Sequence, residues 1–137
     1  MQSILRAREA HYGERTIWWS VKPKQYGMLR NMDVYHQIAG QVYYTELAIR
    51  NQLSGVPERN KLIIDYEQFC LQPRRIADAI EEKYTDLGLE LDLDIGIADK
   101  LEPKNQIRIP VEEIERMEKA YEYFEALCES PQASLPD

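Results

Sequence analysis

Glycine is sparse in this sequence and nowhere clustered. Gly13, Gly27, Gly40, Gly55, Gly88 and Gly96 stand singly. No G-x-x-x-x-G-K run exists to cradle a phosphate with backbone amides. No G-x-S-x-G turn presents a nucleophilic serine. Histidine is limited to His11 and His36, and neither shows a Cys, His or acidic partner at a spacing that suggests a metal. Surface or helix-packing roles are expected for both. Cysteine is limited to Cys70 and Cys128, far apart and without metal-ligand spacing. They read as free thiols in a reducing compartment, with a single disulfide left open. Excess positive charge is also lacking. The net charge of -7 argues against a nucleic-acid binder. No apolar run approaches a membrane span, and Met1-Gln2-Ser3-Ile4-Leu5-Arg6 lacks the apolar core of a signal peptide. The expected location is cytoplasmic.

What is present suits one domain of 137 residues with 44% hydrophobic content. The front of the chain is locally basic through Arg6, Arg8, Arg15, Lys22 and Lys24, while acidic residues gather from Glu81 onward. Residues 2–11 predict a short helix ending at Gly13. Trp18 and Trp19 precede Pro23 and read as packing anchors, and a short helix follows over 23–30. Asp33 is a suitable N-cap for the longest helix, 34–53. Its expected inner face holds Tyr35, Ile38, Val42, Ile49 and Leu53, widened by Ala39 and Leu47. Gly55 and Pro57 end it. Pro73 opens a helix over 73–84 or 73–87, closed by Gly88. Residues 90–104 read as loop. Pro110 starts the last helix, lined by Val111, Ile114, Met117, Tyr121, Phe124 and Leu127. A polar tail over 130–137 is expected to be disordered.

Lys61-Leu62-Ile63-Ile64-Asp65-Tyr66 is different in kind: short, apolar and β-branched. That pattern predicts a strand buried on both faces, of the parallel-sheet type. The fold expected is therefore mainly α, with helices around one buried parallel-type strand, Lys61-Tyr66. No second strong strand candidate accompanies it.

Three groups of residues invite a chemical reading. Tyr66-Glu67 closes the predicted strand, where ligands bind in open α/β folds. Tyr66 could stack on a base or hydrogen-bond to one; equally, the pair could simply close the strand end. Ser3 stands at the start of the first helix, where a hydroxyl and a free N–H suit an anion, with Arg6 and Arg8 close in sequence. Solvated arginines are the alternative. Asp92, Asp94 and Asp99 resemble part of a calcium loop, but Gly96 is misplaced and no EF-hand frame fits.

Leu62-Ile63-Ile64-Asp65-Tyr66-Glu67-Gln68-Phe69, then Gln72-Pro73, then a helix closing in Leu87-Gly88-Leu89, resembles the C-terminal half of a PAPS-dependent sulfotransferase domain. Ser3-Ile4-Leu5-Arg6-Ala7-Arg8, the Trp18-Trp19 pair and the long helix are similar to the region that follows the family's 3′-phosphate motif. The resemblance covers residue 3 to about residue 127. It implies the back half of a P-loop α/β fold, here a subdomain over 1–129, and the sulfuryl donor 3′-phosphoadenosine 5′-phosphosulfate (PAPS) as co-substrate.

By that resemblance Ser3 would bind the donor's 3′-phosphate and Tyr66 would lie near its adenine. Glu67 would be structural, and Lys104-Asn105-Gln106-Ile107-Arg108 would occupy the place of a basic loop over the nucleotide. The family's phosphate loop and its catalytic base have no counterpart in these residues. The expectation is a fragment inactive alone, whose complete parent transfers a sulfuryl group to a hydroxyl or amine. The strand edge or helix faces would then be free to form a homo-oligomer. A helical interaction module without catalysis and a nucleotide-binding remnant are the alternatives.

Overall fold

The computed structural model describes residues 1–91 and 96–129. Asp92, Asp94 and the tail expected over 130–137 lie outside them. Among the described residues the chain forms six helices: α1 (Gln2–Tyr12), α2 (Tyr26–Leu29), α3 (Val34–Ser54), α4 (Tyr66–Leu71), α5 (Pro73–Asp86) and α6 (Val111–Glu129). A 3-10 turn, Glu58–Asn60, precedes α4. Two compact units result, one formed by Met1–Arg50 with the chain from Ile107 onward, the other by Asn51–Gln106.

In the first unit, α1 stops because Gly13 takes a left-handed φ of 69° and its N–H closes on the Glu9 carbonyl. Leu5 and Arg8, one turn apart, are its two buried residues. At the start of α3, Asp33 Oδ1 accepts from the N–H groups of Tyr35 at 2.9 Å and His36 at 3.2 Å, serving two otherwise free donors. One core cluster joins Leu29, Ala39, Tyr43, Tyr44, Ala120 and Phe124. A second joins Leu5, Ile38 and Met117. Burying each large aliphatic or aromatic side chain contributes about 1.5–3 kcal/mol.

The rings prefer edge-on contact, as in Tyr44 and Phe124 with centroids 5.5 Å apart. Gly40 lets the backbone of α3 approach: a Cβ there would overlap the Leu29 Cδ2 methyl and stand 3.0 Å from the Phe124 ring. The inner faces differ in part from expectation. Tyr43, Tyr44 and Ala120 are buried, whereas Ile49 is 50% exposed and Val111 57% exposed. α3 is enclosed over Gln37–Tyr44 and emerges from the core beyond Leu47.

The second unit overturns the strand expectation. No strand exists among the described residues. Lys61 is extended, at φ −133° and ψ 148°, but Leu62, Ile63 and Ile64 are exposed rather than buried. Their backbone groups find no hydrogen-bond partner among the described residues. The reason is elementary: a strand is defined by pairing, and one apolar run without an extended neighbour cannot pair.

The run also ends earlier than expected. Asp65 caps α4 by accepting the Gln68 N–H at 2.9 Å, so Tyr66 is already helical. Pro73 opens α5 at its first turn, where no N–H is needed. Gly88, at φ 75°, closes it, with the Leu89 N–H returning to the Tyr84 carbonyl at 2.9 Å. The Lys61 amine meets Glu58 at 2.7 Å and the Leu53 carbonyl at 3.2 Å.

Candidate functional site

Within the second unit, Tyr66 is the first residue of α4 and is 46% exposed. Its hydroxyl accepts the Lys104 backbone N–H at 3.3 Å. Next to it, Glu67 Oε1 accepts from Asn105 Nδ2 at 2.7 Å. The Tyr-Glu pair thus holds the loop at Lys104 and Asn105 against the start of α4. The phenol ring is open enough to stack on a planar ligand, while its hydroxyl is already engaged. Leu101 fixes the same loop by donating its N–H to the Cys70 carbonyl at 2.7 Å.

The extended run 61–65 lies between two hollows. One, of about 420 Å³, is lined by Lys61, Leu62, Ile64, Ile80, Tyr84 and Leu87. The other, of about 340 Å³, is lined by Ile63, Asp65, Gln68, Gln72, Arg75 and Ile76. The first is mostly apolar, and the second is more polar.

In the first unit, Ser3 is exposed in the first turn of α1. Beside it, Gln2 Oε1 accepts the Arg108 backbone N–H at 2.9 Å, so the end of the 104–108 stretch meets the start of α1. Ser3 and Tyr66 belong to different units. Arg6 is exposed, but Arg8 is not: it is fully buried, which corrects its reading as a solvated arginine. The helical spacing carried that signal, since Arg8 follows the core residue Leu5 by three positions.

His36 also has an acidic partner that the sequence reading missed. Its Nδ1 lies 2.5 Å from Asp33 Oδ2, three residues upstream. Burial pushes the Asp33 carboxyl up, but the His36 N–H, the imidazole and the Tyr35 N–H together outweigh it and hold it below the usual carboxylate range. A hollow of about 430 Å³ is lined by Asp33, Tyr35, His36, Arg116, Lys119 and Ala120. Arg116 lies over the Tyr35 ring, 5.2 Å from its centroid.

His11 stacks on Trp19 with centroids 4.3 Å apart. Trp18 donates its indole N–H to the Val21 carbonyl at 3.1 Å and packs against the core. Both tryptophans are half-buried. Both cysteines are free, Cys70 buried and Cys128 exposed.

Among the described residues no helix is long and apolar enough to cross a membrane, and no group of three His, Cys, Asp or Glu side chains is arranged to hold a metal ion. No family model, curated protein or solved structure matches this chain.

Proposed function

We propose that this chain is a sulfotransferase-like fragment whose complete parent transfers a sulfuryl group from PAPS to a hydroxyl or amine acceptor in the cytoplasm. In that reaction the acceptor oxygen or nitrogen attacks sulfur, and the bond from sulfur to the phosphate oxygen of PAPS breaks. Adenosine 3′,5′-bisphosphate leaves, and the acceptor's proton passes to a base. The observation that carries the reading is the contact of Tyr66 and Glu67 with Lys104 and Asn105. The motif Leu62-Ile63-Ile64-Asp65-Tyr66-Glu67, with Pro73 and Leu87-Gly88-Leu89, supports it. Ser3 is the proposed 3′-phosphate contact and Tyr66 the proposed adenine contact. The chain's own residues include no phosphate loop and no catalytic base for the transfer, so the chain alone is inactive.

The test is a thermal-shift titration with adenosine 3′,5′-bisphosphate. Saturable stabilisation, weakened in Ser3→Ala and in Tyr66→Ala, is the expected result. No shift at millimolar ligand sinks nucleotide binding by this chain. Turnover of PAPS by the chain alone sinks its assignment as inactive.

A second reading is favoured by a separate observation: Ile63 is 76% exposed, between neighbours whose backbone groups have no hydrogen-bond partner among the described residues. In this reading the 61–65 run makes the chain an oligomerisation module by pairing with a second copy of itself. An antiparallel pair centred on Ile63 sets Lys61 opposite Asp65 of the second copy, giving opposite charges at both ends of the ladder. Exposed apolar edges of this kind are templates for strand addition.

A further inference from the structure

Among the described residues Arg8 is the largest fully buried side chain. A buried guanidinium is normally matched by a carboxylate, because desolvation of an unpaired charge is costly. Arg8 makes no ion pair among the described residues. Arg15, whose carbonyl Arg8 meets, itself holds Glu9 and Glu113 at 2.6 and 2.5 Å.

What Arg8 does have is incomplete. Nη1 donates to the Arg15 carbonyl at 3.0 Å and to Gln37 Oε1 at 2.8 Å. The Trp18 ring covers the guanidinium, 5.1 Å from its carbon. Nε and Nη2 have no acceptor. These two N–H groups are not scattered: they form one edge of the planar guanidinium, the fork that meets two oxygens of one anion in parallel. Burial also pushes the guanidinium's pKa down, the direction expected for a cation short of counter-charge.

We propose that the Nε–Nη2 edge of Arg8 is the seat of a small oxyanion, bound by two parallel hydrogen bonds in the plane of the guanidinium. Phosphate, sulfate and carboxylate share the required pair of oxygens. Gln37 and the Arg15 carbonyl hold the opposite edge and fix the fork's direction. The site is independent of the sulfuryl-transfer reading, since it uses neither Ser3 nor Tyr66.

One internal competitor exists: Glu113 Oε2 is itself buried without a partner. If Glu113 turned to Arg8, the fork would be satisfied and no external anion would bind.

The experiment compares melting of the full chain in phosphate, sulfate, acetate and chloride at matched ionic strength. Sulfate and phosphate stabilise most proteins by exclusion, so the quantity that decides is the excess over Arg8→Met in the same buffers. The expected result is stabilisation by at least one oxyanion over chloride that grows logarithmically with concentration, by about 1.4 kcal/mol for each tenfold above the dissociation constant, and is absent from Arg8→Met. The most effective of the three buffers identifies whether the seat prefers a tetrahedral or a planar anion.

Equal melting of the wild type in oxyanion and chloride overturns the proposal, and so does an equal gain in Arg8→Met. Should Arg8→Met fail to fold, Arg8→Lys keeps the charge without the fork and is expected to lose the gain. The wild-type Arg8 Nε–H resonance supplies an independent check. A saturable shift on phosphate titration supports the seat, whereas an unmoved resonance overturns it.

Discussion

Gln37 Oε1 accepts a hydrogen bond from Arg8 Nη1 at 2.8 Å, across 29 residues of sequence, with both side chains buried. The same amide turns its nitrogen the other way, donating to the Met32 carbonyl at 2.9 Å and the Arg30 carbonyl at 3.3 Å. One side chain thus ties α1 to the turn before α3. Replacement by Leu keeps much of the volume but leaves a buried cation and two carbonyls short of partners. Gln37→Leu is expected to lose about 2–3 kcal/mol in urea denaturation. Gln52→Leu, at an exposed position of the same helix, is expected to stay within about 0.5 kcal/mol of wild type. Similar small changes in both variants would show that the amide is replaceable.

Gly40 sets how closely α3 meets its neighbours. Helix propensity alone predicts that Gly40→Ala stabilises by about 0.5–1 kcal/mol. Packing predicts the opposite, because the added methyl overlaps Leu29 and presses on Phe124, both fully buried. Overpacking of this kind costs about 1–3 kcal/mol, so a net loss is expected. The cause can be separated from propensity by a double-mutant cycle. Gly40→Ala should cost less in a Phe124→Leu background than in wild type, a coupling that pure propensity cannot produce.

Much of the first unit was legible in the sequence because its signals are local. Asp33 as a cap and Gly13 as a helix stop each act within one turn of chain, and each is found in place, as is Pro73 as a helix start in the second unit. The inner face of α3 was less legible. Periodicity selected Ile49, while the fold buries Tyr43 and Tyr44, because the depth of a helical face is set by what packs on it.

The 61–66 run failed for the same reason in stronger form. Its composition reports strand propensity, but pairing depends on a neighbouring strand that no local pattern supplies. Of the candidate site, Tyr66 and Glu67 were visible as a pair, and their contact with Lys104 and Asn105 spans 38 residues. The burial of Arg8 was written in its spacing from Leu5, but the charge of the residue masked that stripe.

Asp33 predicts a pH dependence whose sign follows from its environment. Its carboxyl is held down in the folded state, by the His36 N–H, the imidazole and the Tyr35 N–H acting against burial. A depressed carboxylate contributes stability that is present above its unfolded pKa and lost as pH falls through the folded value. The window therefore lies below about pH 4, the ordinary range for Asp. Asp33→Ala is expected to cost about 1 kcal/mol at pH 7 through loss of the cap. Because Asp33 is largely exposed, the ionic part of that cost is small. The gap between wild type and Asp33→Ala should narrow on acidification to pH 3 in thermal melts. A gap that widens there would contradict the depressed carboxyl.

Ile63 offers the sharpest test of self-association. Its side chain is 76% exposed, so replacing it should leave the fold's stability within about 0.5 kcal/mol of wild type. In a pair centred on Ile63, the same residue of two copies meets at the middle of the ladder. Ile63→Asp would set two like charges directly opposite there, which opposes pairing. In that register Lys61 stands opposite Asp65 of the second copy. The expected outcome in multi-angle light scattering is a concentration-dependent mass for wild type that falls to the monomer in Ile63→Asp with its melting temperature unchanged. Lys61→Asp alone should weaken association, by facing Asp65 with a like charge, and Asp65→Lys added to it should restore part of the mass by exchanging the two ends. A wild-type mass that stays monomeric at every concentration removes the self-pairing reading while leaving the Tyr66 contacts, and the nucleotide test built on them, untouched.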